Sequence, residues 1–239
     1  MHAIDEPSAP PSVTPQWALW QLGFRPFYLM AGAFAALSVP LWALQFAGLL
    51  PRPYLAGAVW HAHEMLFGYA LAVVVGFLFT AGRNWSGRPT PTGAALAALA
   101  LLWVAGRIVV LTPMGWAAAL VNAAFPIAAA AGLGKALLGG SNRRNDFFIG
   151  VLLLLGVAQL GVHLVQLRVL DLPDWLGVRI GMDLLLFVMA VMAGRVIPMF
   201  TNNGVPGTHA RRHPAIEWAA LAAVLALLIA DAAGLHGVA

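Results

Sequence analysis

The sequence predicts an all-α, polytopic transmembrane bundle of about seven spanning helices, and three observations predict it. Of the 239 residues, 61% are hydrophobic and 9% are charged, against roughly 45–50% and 25% in an ordinary soluble domain. The mean hydropathy is +0.84. The apolar residues fall into segments at 26–49, 59–81, 94–112, 115–138, 147–169, 177–201 and 215–235, each long enough to cross a hydrocarbon core at about 1.5 Å per residue of helix.

Residues 1–22 precede the first segment as a flexible N-terminal tail. They are polar and rich in proline (Pro7, Pro10, Pro11, Pro15), with Asp5 and Glu6, and lack the basic start and short apolar core of a cleaved signal. The first span is then its own insertion signal. Residues 23–239 form a single transmembrane unit with no clear internal repeat and no soluble domain. Gly32, Gly76, Gly106, Gly132, Gly156 and Gly161 lie inside the segments, where small residues let helix backbones approach closely in lipid. Pro40, Pro126 and Pro198 also fall inside segments and predict kinks.

The charges orient the bundle. Arg25, Arg83, Arg88, Lys135, Arg143, Arg144, Arg211 and Arg212 fall on the N-terminal side, whereas Arg52, Arg168 and Arg179 fall on the other, beside Asp171 and Asp174. Positive-inside bias places the N-terminus in the cytoplasm. The pI is near 10.3, yet the net charge is only +4 and is spread over short loops, so no nucleic-acid partner is expected. With no cysteine, disulfides, thiolate-bound metals and Cys-linked haem are excluded. No phosphate loop, dinucleotide fingerprint or candidate nucleophile appears, which argues against a conventional hydrolase or dehydrogenase.

On this topology, polar groups from five segments converge on the outer leaflet: His61, His63 and Glu64 in the second, Arg107 in the third, His163 in the fifth, Asp183 in the sixth, and Asp231 with His236 at the end of the seventh. Titratable groups at such depth are costly and mark candidate sites. The densest stretch is Trp60-His61-Ala62-His63-Glu64-Met65. At helical spacing His61 shares a face with Glu64 and Met65, and His63 points toward the face of Phe67. Imidazole is a common metal ligand, and a neighbouring carboxylate can set its tautomer. Taken alone, each histidine is explained more simply as an interfacial ring bonded to loop carbonyls, and Arg107 as a snorkelling side chain. Arg195, near the inner end of the sixth segment beside Pro198, reads the same way.

Several stretches together resemble the NnrS family of membrane proteins: Phe24-Arg25-Pro26-Phe27, Trp60-His61-Ala62-His63-Glu64-Met65-Leu66-Phe67-Gly68, Asn84-Trp85-Ser86-Gly87-Arg88-Pro89, Trp103-Val104-Ala105-Gly106-Arg107, Asn142-Arg143-Arg144-Asn145, His163, and Gly194-Arg195-Val196-Ile197-Pro198-Met199-Phe200-Thr201. The resemblance runs through roughly residues 24–205. It implies a multi-pass protein of the bacterial inner (cytoplasmic) membrane that contains haem b and copper and acts in nitric oxide response and resistance, with nitric oxide as a ligand. Family members look about twelve spans long, so the resemblance also implies either a shortened reading frame or a natural short form that forms a homo-oligomer or joins a second membrane subunit.

His61, His63 and His163 are the expected ligands, because they lie deep in apolar segments, on one leaflet and within the family-like motifs. Glu64 and Met65 join the expected metal set, and Arg107 or Arg52 would meet haem propionates. Copper suits imidazole with thioether, which His61 and Met65 supply. For each histidine, haem and copper both stay open. Two other readings compete. A proton-coupled small-solute transporter would use His61, Glu64, His163 and Asp183 as a relay, though paired interrupted helices are not evident. A cofactorless assembly partner would use the same groups as packing contacts.

Overall fold

The computed structural model describes residues 18–50, 53–140 and 143–235. Among them the chain forms helices and no strand. In order these are α1 (Phe24–Phe46), α2 (Gly57–Ser86), α3 (Gly93–Val109), α4 (Gly115–Leu137), α5 (Phe147–Gln166), α6 (Leu176–Gly204) and α7 (Pro214–Ala232). Six are long and apolar enough to cross a bilayer. The shorter α3 has 17 residues, at the lower end of what can span. Ala18–Gln21 form a 3-10 turn ahead of α1. Residues 1–17 of the expected tail, Arg52 and His236 lie outside the described residues.

Local chemistry sets the ends of the central helix. Gly57 opens α2 with φ +60, a left-handed conformation that costs other residues a Cβ clash. Its N–H donates to Gln45 Oε1 at 3.1 Å, which ties the end of α1 to the start of α2. Gly87 closes α2 in the left-handed region, and its N–H donates to Arg83 O, a common way to end a helix.

Helix α2 lies at the middle of the bundle. It packs against α1 along its length and against α4 through Leu71–Ser86, and its middle section also meets α3 and α6. Phe27, Phe67, Leu71, Phe79, Leu133 and Phe148 fill the core between these helices. Buried residues are numerous in α2, α4 and α5, whereas α7 has none and packs along α6. The polar motif of α2 enters this buried interior, with His63 and Glu64 fully buried. A groove of about 600 Å³ between α4 and α5, lined by Ile127, Gly134, Lys135 and Leu153 among others, shares no residue with that motif.

Candidate functional site

The motif does not continue as a regular α-helix. Gly57–His63 is α-helical, Glu64–Ala70 forms a π-helical turn, and α-helix resumes at Leu71. At the exit of the wider turn, Leu71 N–H donates to Leu66 O, five residues back. Such insertions recur at functional sites because they rotate everything downstream relative to a plain α-helix. Trp103 on α3 donates its indole N–H to Gly68 O at 3.0 Å. That contact pins the widened turn against α3 and satisfies a carbonyl within it.

A buried network is built around this turn. Glu64 is fully buried and accepts from Arg107 Nη1 through Oε2 at 2.8 Å, while its Oε1 lies 2.8 Å from His63 Nδ1. Arg107 Nη2 donates to Asn122 Oδ1 on α4, and the guanidinium lies 5.7 Å from the Trp103 ring centroid and 6.0 Å from that of Phe34. Asn122 Oδ1 also accepts from Gln159 Nε2 at 3.2 Å, and Asn122 Nδ2 donates to Ala118 O at 2.9 Å. Gln159 Nε2 lies 3.5 Å from His63 Nε2. An amide N–H facing Nε2 assigns the proton of His63 to Nδ1, where it is donated to Glu64. The carboxylate thus sets the tautomer, as it does behind many metal-bound histidines.

His163 reaches the same place from α5. Its ring meets that of His63 edge to face, with centroids 4.8 Å apart. His163 is fully buried, and neither ring nitrogen has a hydrogen-bond partner. Tyr54, in the loop between α1 and α2, stacks on His163 at 5.8 Å and donates its hydroxyl to His163 O at 3.0 Å. Burial pushes the Tyr54 phenol up to about 12, since a phenolate would lose hydration there.

Of the residues expected at the site, the fold brings together His63, Glu64, Arg107 and His163. His61 sits apart: it is half-buried, stacked on Trp42 of α1 at 4.1 Å, with Nδ1 unpartnered. Simple helical spacing puts Glu64 on the face of His61, but in the π turn its carboxylate bonds His63 and Arg107 instead. The expected proximity of His63 and Phe67 is present, with ring centroids 5.3 Å apart. Met65 is half-buried against the core. Gln159 is aimed at His63 and Asn122. Asp183 shares a hydrogen bond with Asp231 and takes no part in the cluster. Asn122 and Tyr54 escaped the sequence reading. For Asn122 the available signal was one amide inside the Ala-rich stretch Ala117–Ala124.

The donors brought together here are imidazole nitrogens, which suit a small metal ion. Two buried imidazoles from separate helices face each other, one oriented by a carboxylate and the other with both nitrogens free. An unsatisfied buried polar group is costly, and a copper ion, which accepts imidazole readily, would satisfy one of the two His163 ring nitrogens. Among the described residues no group of three or more His, Asp or Glu converges on a common metal position. Phe67, Tyr54 and Gln159 pack directly around the two rings.

Long apolar helices around a buried, hydrogen-bonded charge cluster define a polytopic integral membrane protein with an intramembrane polar site. More narrowly, the chain belongs to the NnrS family, whose model, described as NnrS protein, matches residues 18–239. Comparison with curated proteins and with solved structures gave no match.

Proposed function

We propose that this protein is a metal-binding membrane protein of the nitric oxide response, and that its metal position lies between His63 and His163. The nitric oxide role is what NnrS membership suggests. The observation that carries the metal reading is the buried, unpartnered His163 ring set 4.8 Å from a His63 ring whose tautomer Glu64 fixes. In this reading His63 Nε2 and one His163 nitrogen hold copper, which would supply a redox-active centre for a small apolar ligand such as nitric oxide. Glu64 keeps the proton of His63 on Nδ1, and Arg107 balances the carboxylate charge. Asn122 holds Arg107 in register and is itself held by Gln159, and the surrounding apolar helices exclude water. Haem b enters the proposal on family resemblance alone, with His61 as an axial donor outside the packed cluster.

Metal analysis and the optical spectrum of the purified protein test this. His63→Ala and His163→Ala should each lower copper content at least tenfold, while His209→Ala keeps it. Full copper content in both variants, with an unchanged spectrum, would defeat the reading. A Soret band lost in His61→Ala but kept in His163→Ala would support the haem assignment.

A location in the bacterial inner membrane with a cytoplasmic N-terminus is part of the same proposal, supported by the family resemblance and by the positive-inside charge bias. Single cysteines in a chain that has none, probed with an impermeant thiol reagent in intact cells, should label the 169–178 loop and spare the 83–93 loop. The reverse pattern would invert the topology and put the polar cluster on the cytoplasmic side.

A further inference from the structure

His163 lies in the last turn of α5, which ends at Gln166, and yet it is fully buried. A side chain so near a helix end stays dry only if another element covers it. Tyr54 does so from the loop between α1 and α2. Its ring, itself half-buried, lies nearly parallel to the imidazole, at an interplanar angle of 13°. The carbonyl that accepts its hydroxyl, His163 O, also accepts from Leu167 N–H at 2.9 Å, so the phenol is tied to the end of α5.

The other end of the residue is fastened as well. Tyr54 N–H donates to Thr112 O at 3.0 Å, and Leu55 N–H donates to Val110 O at 3.4 Å. These bonds join the Tyr54 segment to the turn after α3. Leu55 is buried in a small apolar cluster with Trp60, Val110 and Ala118, against which Tyr54 packs. Gly115, at the start of α4, supplies the seat. A Cβ there would stand 2.7 Å from Tyr54 Cε2 and 2.8 Å from Leu167 Cδ2, closer than packed atoms approach, so a side chain at this position displaces the ring or the leucine.

We propose that Tyr54 is a positioning residue for His163: its ring shields the imidazole from the aqueous phase at this end of the bundle. On the metal reading given above, on which this second part rests, the same ring sets how fast an ion reaches or leaves His163. The shell around a metal ligand controls solvent access, and a covered ligand exchanges only when its cover opens locally. Tyrosine suits the task because its apolar face lies on the buried ring while its hydroxyl finds a polar partner at the edge.

The first readout needs no metal. Diethyl pyrocarbonate acylates neutral imidazole, and peptide mass spectrometry of the full metal-free chain in detergent follows each histidine, with exposed His209 and His213 as internal standards. In the parent, His163 should react far more slowly than those two. Tyr54→Ala should raise its rate about tenfold or more, because access no longer waits for local opening. Tyr54→Phe keeps the ring and loses one hydrogen bond, so the rate should stay within about threefold of the parent. Should Tyr54→Ala not fold, Gly115→Ala tests the same point by pushing the ring aside. The second readout is the rate at which copper passes from the loaded protein to an impermeant chelator, which should rise in Tyr54→Ala and return close to the parent's in Tyr54→Phe.

A parent His163 acylated as fast as His209 would overturn the proposal. So would a rate unchanged in Tyr54→Ala, or in Gly115→Ala where that variant stands in. Equal rises in the alanine and phenylalanine variants would assign the effect to the hydroxyl and overturn the shielding role of the ring. A parent that binds no copper defeats the metal reading alone, since acylation reports on the cover without it.

Discussion

The two ends of the bundle each hold a glutamate–arginine pair, and the pairs are used in opposite ways. Glu64 and Arg107 meet inside the helices, with Glu64 fully buried and Arg107 nearly so. Every further contact they make is to a buried ring or amide. Glu217 and Arg212 meet at the rim, where Arg212 is exposed. A buried pair is costly to desolvate but far costlier to break, because the surviving charge has nowhere to go. An exposed pair is screened by water and salt and contributes little to stability. The same two residue types therefore specify an interior at one end and leave an adjustable charge at the other.

The strongest way to break that contrast is to strand the buried charge. Arg107→Ala should cost about 3–5 kcal/mol of stability, read as a large fall in melting temperature in detergent. Replacing both partners, as in Glu64→Gln with Arg107→Met, should recover much of that loss while leaving His63 without its carboxylate. If the double variant is no better than Arg107→Ala, the pair is not the source of the cost.

Next in size is Gly68→Ala. A Cβ there would run into the Arg107 guanidinium and come within 3.0 Å of Phe34 Cε1 and 3.2 Å of Glu64 Oε2. Overpacking of this kind costs about 1–3 kcal/mol, so the melting temperature should fall together with metal content. Asn122→Ala should follow at about 1–3 kcal/mol, since Arg107 Nη2 and Gln159 Nε2 both lose their acceptor. A variant as stable as the parent would show that water replaces the amide.

Smaller effects sharpen the comparison. The Tyr54 phenol is raised to about 12 from an ordinary value of 10.0, so the folded state binds its proton more tightly than the unfolded chain. Its stabilising contribution is complete below about pH 10 and is lost as pH rises toward 12. Ultraviolet titration should find a late-ionising tyrosine that is absent in Tyr54→Phe. Smallest of all, Arg212→Gln at the rim should leave the melting temperature unchanged, because its partner stays solvated. A drop comparable to that of Arg107→Ala would erase the distinction between the two ends.

Much of the architecture is legible in the sequence. Hydropathy located six long spans and the shorter α3, since the energetics of crossing a bilayer act on each segment separately. The family-like motifs marked the stretch that holds the site. The face on which Glu64 works was not legible. It follows from the π turn, a local rearrangement stabilised by the Trp103 bond from another helix, and periodicity alone assumes the regular α spacing.

What the sequence by itself determined is that this chain is a helical membrane bundle, that it belongs with the NnrS motifs, and that its costly polar residues gather toward one end. These properties are set by composition and by contacts close in sequence. Only the tertiary structure decided that Glu64 joins His63 to Arg107, that Asn122 links Arg107 to Gln159, and that His163 rather than His61 faces His63. The physical reason is range. Arg107 lies 43 residues from Glu64 and Gln159 lies 37 from Asn122, so their pairing depends on how separate helices pack, and a buried charge takes whichever partner that packing brings within reach.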